Sequence, residues 1–405
     1  MPRTEAVRPA SQQGMRRQNL ALVMGEVAAS GPVSRARVAD ATGLTRAAVS
    51  SLVEELRTAG LVAERGPAPS GRVGRPGSDL VVDAEGPAGL GLEIGVGHLG
   101  ACLVDLGGRI RASVRVPADN RRRTPDVVLG QLARIAAELT ETAVPHPAGT
   151  VVAVPGLVGA AEGQVAHAPN LGWRRVPVAD LLRERLPDPL AALPLDVDNE
   201  ANLGALADLW CGAGAADAVH ISAEAGIGAA LLVGGAIFRG ASGFAGELGH
   251  VPVRPDGPPC ACGARGCLEQ YAGEAAVLRA AGLDAATGDP VTELARRAQR
   301  SQPAVLDALD RAGAALGIAL AGAVNLIDPA AVVLGGAYAE LGTWLLPAMR
   351  RELAARVAVR PWHPQTLTLS ALGRGGPVLG AAMVTVRRIV GDPGGYAAGR
   401  ADRSA

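Results

Sequence analysis

The chain has 405 residues, and its 39 basic and 39 acidic side chains balance to a formal net charge of zero, so neither a polybasic tail nor an acidic disordered chain fits it. Hydrophobic residues make up 48% of it, aromatics only 2%, and there are 54 glycines; this is a globular composition whose core must be built from Ala, Val, Leu and Ile. Every basic residue is an arginine, and the lack of lysine excludes both Schiff-base chemistry and a Gly-Lys-Ser/Thr phosphate loop.

No apolar stretch precedes Leu20, so the N-terminus does not read as a secretory signal. Apolar spacing then predicts three short helices: Asn19 to Ala29 with Leu20, Val23 and Val27 on one side, Ser34 to Thr42, and Thr45 to Thr58 with Val49, Leu52, Val53 and Leu56 on one side. Gly43 lies between the last two and Thr45 is a good N-cap. A short glycine turn between two helices is the helix-turn-helix pattern, whose second helix can lie in a DNA major groove. Two β-like segments follow, Leu61 to Glu64 and Asp79 to Asp83, separated by GPAPSGRVGRPG, and together they make a wing. A winged helix-turn-helix is therefore expected over residues 15–85. From Arg57 to Gly77 the arginines at 57, 65, 72 and 75 face a single carboxylate, Glu64, which makes this stretch locally positive. Arg46, Ala47, Ser50 and Ser51 are the expected base-reading positions on double-stranded DNA, with Arg72 and Arg75 entering the adjacent minor groove.

From Gly89 onwards, buried β-like runs (GLGLEIGV, ACLVDL, VVAVPG, PLDVDNE, AVHISA, AALLVGG, AAVVLGG) alternate with Ala-rich helical stretches. Continuous apolar strands imply sheets covered on both faces, an α/β architecture with functional groups at strand ends. The uncharged run Ala312 to Ile327, sixteen residues, is shorter than the ~20 apolar residues a membrane span needs and reads as a buried helix. The last fifteen residues, 391–405, are Gly/Ala-rich and are expected to be disordered. Five cysteines without an export signal argue for a reducing, cytoplasmic compartment. Three of them, Cys260, Cys262 and Cys267, follow His250, and three thiolates plus an imidazole are the ligand set of a closed structural zinc site. Gly263 and Gly266 permit the tight turn that gathers the sulfurs.

GFAGELGHVPV followed by CACGARGCLEQYAGE, with APNLGW at 168–173 and DNEAN at 198–202, resembles the ROK family of bacterial sugar kinases and sugar-responsive repressors. The resemblance runs from Gly89 to about Val390, giving an effector domain over 88–390, and the winged helix-turn-helix ahead of it resembles the repressor branch. It implies a two-lobed, actin-like ATPase fold of the ribonuclease H type with sugar in the interlobe cleft. It makes Asn170, Asn199, Glu247, His250 and Glu269 sugar contacts, places Glu200 beside them where the kinases have their catalytic aspartate, and makes His250, Cys260, Cys262 and Cys267 zinc ligands.

The family kinases need an Asp-x-Gly-Gly-Thr loop, a Gly-Thr-Gly-x-Gly loop and an aspartate base in Asn-Asp-Ala-Asn. This chain reads Glu93-Ile94-Gly95-Val96-Gly97, Glu224-Ala225-Gly226-Ile227-Gly228 and Asn199-Glu200-Ala201-Asn202. A Cβ branch at Val96 should obstruct phosphate, a carboxylate at Glu224 should repel it, and Glu200 moves the base by one carbon–carbon bond, ~1.5 Å. The expectation is a DNA-binding repressor of carbohydrate genes, a homodimer or homotetramer, that keeps the sugar site and structural zinc and does not use ATP. The alternatives are an ATP-dependent hexose or N-acetylhexosamine kinase carrying a DNA-binding domain, with Glu200 as base, and a regulator removed from DNA by a protein partner rather than by sugar.

Overall fold

A computed structural model describes residues 11–66, 78–141, 144–159, 163–212, 214–283 and 289–404. The N-terminal unit follows its apolar spacing. Helix α1 (Gln12–Ser30) buries Leu20, Val23, Met24 and Val27; strand β1 is Val33–Ser34; α2 is Arg35–Thr42 and α3 is Arg46–Thr58, burying Val49, Leu52, Val53 and Leu56. Each start is capped by a hydroxyl: Ser11 accepts from the Gly14 amide, Ser34 from Arg37 and Thr45 from Ala48. Gly43 ends α2 at φ 71°, the left-handed backbone that glycine adopts freely. β2 (Val62–Arg65) and β3 (Asp79–Val82) pair antiparallel, with β1 on the outer side of β3. This is a winged helix-turn-helix. The wing tip with Arg72 and Arg75 lies outside the described residues.

α1 begins well before the expected Asn19. Its first turns carry no apolar stripe and are held by ion pairs instead, Arg16 to Glu55 of α3 and Arg17 to Asp392 near the C-terminus.

The first lobe comprises β4 (Ala88–Ile94), β5 (His98–Asp105), β6 (Ile110–Pro117), α4 (Pro125–Thr140) and β7 (Pro147–Val154), then the small strands β8 (Leu157–Val158), β9 (Val165–Ala168) and β10 (Trp173–Val176), and finally α5 (Val178–Arg183), β11 (Leu195–Asn199) and α6 (Glu200–Cys211). Its main sheet has the order β11-β7-β4-β5-β6, the meander β4-β5-β6 antiparallel and β4, β7 and β11 parallel.

The second lobe repeats that plan with β12 (Ala218–Ala223), β13 (Ile227–Val233), β14 (Ala236–Ile237), the short helices α7 (Glu269–Ala272) and α8 (Glu274–Ala280), α9 (Pro290–Gln299), α10 (Pro303–Ile327), β15 (Ala331–Gly336), α11 (Ala337–Arg356) and β16 (Leu367–Leu369). The order β14-β13-β12-β15-β16 again joins an antiparallel meander to parallel strands. Two such sheets make the duplicated, actin-like architecture. The uncharged run at 312–327 is the second half of α10, buried through Ala312, Leu316, Leu320 and Val324, and no described helix is long and apolar enough to cross a membrane.

α12 (Gly376–Gly391) and α13 (Pro393–Ser404) close the chain. The expectation of a disordered tail is thus corrected: Asp392 accepts from the Gly395 amide, pairs with Arg17, and Tyr396 packs against the helix-turn-helix core. α12 is the keystone of the arrangement. Val378, Leu379, Ala382, Met383, Val386 and Ile389 share one hydrophobic cluster with Leu20, Val23 and Leu56 of the DNA-binding unit and with Cys102 and Val104 of β5. The DNA-binding unit is therefore packed onto the first lobe by a common core.

Candidate functional site

The cleft between the lobes is built from strand ends. β11 delivers Asn199, whose Oδ1 caps α6 by accepting from the amides of Ala201 at 2.8 Å and Asn202 at 3.3 Å, while its Nδ2 donates to the Gly156 carbonyl at 2.8 Å. From the other lobe, Glu269 at the start of α7 accepts from the Ile227 amide at 3.2 Å. Gly226 sits between Asn170 and Glu269: a Cβ there would lie 3.0 Å from the Asn170 amide nitrogen and 2.8 Å from a Glu269 oxygen. Glycine at this position leaves both polar groups room to face the cleft. Glu247 joins the group, its carboxyl raised by burial and by Glu269 and lowered by His250, whose Nε2 is 3.9 Å away. A small hollow beside them is lined by Asn199, Glu247, Phe244 and Gly156. The structure thus brings Asn170, Glu247, His250 and Glu269 to one region, and makes Asn199 a structural cap at its edge.

The other ring face of His250 meets the thiolates. Its Nδ1 lies 3.8 Å from Cys260 Sγ, Cys262 Sγ is 3.7 Å from Cys267 Sγ, and the four donor atoms are all within 4.8 Å of one another. Ligands at zinc–sulfur and zinc–nitrogen distances of about 2.3 and 2.0 Å around a tetrahedral ion stand roughly 3.5–3.8 Å apart, so the cluster fits zinc. His250 is the joint between cluster and cleft, and Glu269 follows Cys267 by two residues, so a bound ion would set the position of both.

The turns that the resemblance assigns to phosphate are filled by the protein itself. In the first, Val96 turns its side chain into the core of the first lobe, 4% exposed, so it is not the expected obstruction. The His98 ring instead occupies the space over Gly95, where a Cβ would come within 2.2 Å of two ring atoms. His98 Nε2 lies 3.2 Å from buried Glu93, off hydrogen-bond alignment, and its Nδ1 is 3.1 Å from Arg115. Arg115 in turn reaches Glu224, in the second turn, at 3.6 Å. A Glu93–His98–Arg115–Glu224 chain therefore links the two turns across the lobes. His98 and Arg115 carry no motif, which is why sequence reasoning missed them; their only signal is a position directly after the first turn and on the neighbouring strand.

Glu200 begins α6 inside this charged group. Burial, with Glu224 and Glu93 nearby, pushes its carboxyl up to about 8. Burial likewise raises Glu224, with Arg115 and His98 opposing it.

On the DNA-binding unit, Arg46, Ala47, Ser50 and Ser51 all lie exposed on one side of α3, opposite its buried Val49, Leu52, Val53 and Leu56. Ser50 donates to the Arg46 carbonyl at 2.9 Å and keeps its acceptor lone pairs outward.

The ROK family pattern matches residues 89–388 and a MarR family pattern matches residues 14–73. The xylose repressor of Bacillus subtilis is 29% identical over 384 residues, covering 93% of this chain and 97% of its own. Among solved structures, a ROK family transcriptional regulator described as a homolog of the E. coli MLC protein superposes with a TM-score of 0.76 at 24% identity, covering 93% of this chain and 97% of its own. A ROK family glucokinase from Streptomyces griseus, in complex with glucose and AMPPNP, superposes with a TM-score of 0.64 at 28% identity, covering 73% of this chain and 98% of its own.

Proposed function

The chain belongs to the ROK family, and on that premise we propose that it is a winged helix-turn-helix transcriptional repressor of carbohydrate genes whose effector is a neutral sugar held in the interlobe cleft. One observation carries the reading: the His98 ring and the Glu93 and Glu224 carboxylates occupy both phosphate turns, while Asn170, Glu247, His250 and Glu269 remain gathered at the cleft. A polyanion brought there would meet like charge in a partly enclosed site. A sugar meets amides and carboxylates that accept and donate to its hydroxyls. The DNA-binding part of this reading is supported by the xylose repressor of B. subtilis, which matches through the DNA-binding unit as well as the effector domain, whereas the glucokinase covers only 73% of the chain.

The route from cleft to DNA is physical. Asn199 fixes the first turn of α6; α6 packs along α12 so closely that a Cβ on Gly380 would lie 1.9 Å from the Leu203 carbonyl; and α12 shares its core with α1 and α3. A sugar that changes the closure of the lobes moves α6, and α12 carries that movement to the recognition helix. In a homodimer or homotetramer, two α3 helices read half-sites about one helical turn, ~34 Å, or a multiple of it apart. Arg46, Ala47, Ser50 and Ser51 read base edges, Arg72 and Arg75 the minor groove. Zinc, when bound, holds the His250–Glu269 segment in place.

The test combines a thermal-shift screen with an ATP-turnover assay on the same sugars, pentoses, hexoses and N-acetylhexosamines, with xylose first because the B. subtilis relative is named for it. The expected result is a stabilising sugar without ATP-dependent phosphorylation. Robust turnover of any sugar in the panel overturns the reading.

A further inference from the structure

Away from the cleft, a cavity of about 400 Å³ opens between β7 and β11 of the first lobe, α6 and α12. Leu206, Val384 and the ring of Trp210 form its apolar wall. Its rim carries three guanidiniums, Arg239, Arg387 and Arg388, against two carboxylates, Asp196 and Asp198.

Those charges are unequally committed. Asp198 is saturated: Oδ1 accepts from the Asn199 amide at 2.7 Å, Asn202 Nδ2 at 3.0 Å and Arg239 at 3.1 Å, and Oδ2 from Arg239 at 2.5 Å. Asp196 is paired with Arg388, both half-exposed. Arg387 has no carboxylate among the described residues and lies over the Trp210 ring at 5.7 Å. One full positive charge is left at the mouth of a hollow whose size is typical of small-molecule sites, roughly 300–1,000 Å³.

We propose that this cavity is a second ligand site, selective for a small polyol phosphate ester. The phosphate oxygens take the Arg387 guanidinium and the exposed Arg388 beside it, an arrangement suited to bidentate, charge-assisted hydrogen bonds. The carbon skeleton lies against Trp210, Leu206 and Val384, and Asp196, released by Arg388, accepts a hydroxyl. Two features favour an ester over a neutral sugar or a bare anion. The net charge of the rim is positive, where the cleft gathers the carboxyl groups of Glu224, Glu247 and Glu269, so the two sites sort ligands by charge. The aromatic and aliphatic wall gives a carbon body something to bury that inorganic phosphate cannot use. Because α12 forms one wall here and also packs against the DNA-binding unit, the site touches the helix that joins effector domain and recognition helix. The proposal stands on this cavity alone and does not depend on what the cleft binds.

Isothermal titration of the full-length protein with glycerol 3-phosphate, fructose 6-phosphate, inorganic phosphate and fructose tests it. At least one ester is expected to bind at about 1 mM or tighter, inorganic phosphate and fructose about tenfold more weakly or not at all. Arg387→Ala should weaken ester binding at least about tenfold and Arg387→Glu should abolish it, while Glu269→Gln in the cleft leaves it unchanged. Arg387 is exposed and outside every core cluster, so its variants should keep the wild-type melting temperature. Failure of both esters to bind at that level, equal binding of inorganic phosphate, survival of binding in Arg387→Ala, or its loss in Glu269→Gln would each overturn the assignment. A failed cleft reading shows instead as no stabilising neutral sugar.

Discussion

Several carboxylates lie near one another between the lobes, and their proximity sets how each titrates. Glu200 sits in the folded protein at about 8 because burial and the Glu224 and Glu93 charges disfavour its ionised form, whereas an exposed glutamate titrates near 4.3. The native state thus holds a proton that the unfolded chain has lost between those values. The contribution of Glu200 to stability is full below about pH 4, falls as pH rises towards 8, and falls no further above it. Glu200→Gln removes the titration, so the gap between the urea midpoints of variant and wild type should widen steadily from pH 5 to pH 8 in the variant's favour. Parallel curves would contradict the placement of Glu200. Glu269→Gln is expected to abolish the sugar-induced thermal shift, since Glu269 faces Asn170 across Gly226 and a neutral amide cannot supply both acceptor oxygens. An undiminished shift would remove Glu269 from the site. On the DNA side, Arg46→Ala at the exposed start of α3 should weaken operator binding by about 1–3 kcal/mol and relax selectivity at one base pair, as read by fluorescence anisotropy on single-base operator variants.

Between elements, backbone-to-backbone seams decide the architecture. Gly380 of α12 faces the Leu203 carbonyl of α6, and Gly89 and Gly91 of β4 face the Ala382 and Val378 carbonyls of α12; at each, a Cβ would sit closer than 2.2 Å to a carbonyl oxygen. Gly380→Ala must therefore push α12 off α6, which costs about 1–3 kcal/mol or more, seen as a lowered melting temperature. The coupling between sugar and operator should shrink with it. The elements themselves were largely legible. Val49, Leu52, Val53 and Leu56 announce α3, and β15 is apolar throughout while β4 and β12 are mostly so, broken only by Glu93, His220 and Ser222, because both sheet faces are covered. What composition concealed were elements held by specific polar contacts. The first turns of α1 and all of α13 lack an apolar stripe long enough to read; the pair Arg17–Asp392, 375 residues apart in sequence, fixes both. The candidate site divides in the same way. The ligand set of His250, Cys260, Cys262 and Cys267 is legible in the sequence and Glu269 enters only through the family resemblance, while His98 and Arg115 become visible only when β5 and β6 lie beside the first turn.

For the whole molecule, two lobes of the same topology enclose the cleft, and a helix-turn-helix shares a core with one of them. The thiolate cluster ties the second lobe's loop to the cleft, so one zinc per chain is expected by elemental analysis, and Cys262→Ser should lower both the metal content and the sugar-induced shift. Metal-free protein with an unchanged sugar response would contradict that coupling. Occupancy of the cleft is expected to reach the recognition helix through α6 and α12. It is tested most directly by measuring operator affinity of the full-length protein, at one fixed salt concentration, with and without a sugar that raises its melting temperature. Saturating sugar should weaken operator binding by about 5- to 150-fold, the usual range of a coupling free energy; equal affinities with the cleft empty and filled would rule this coupling out.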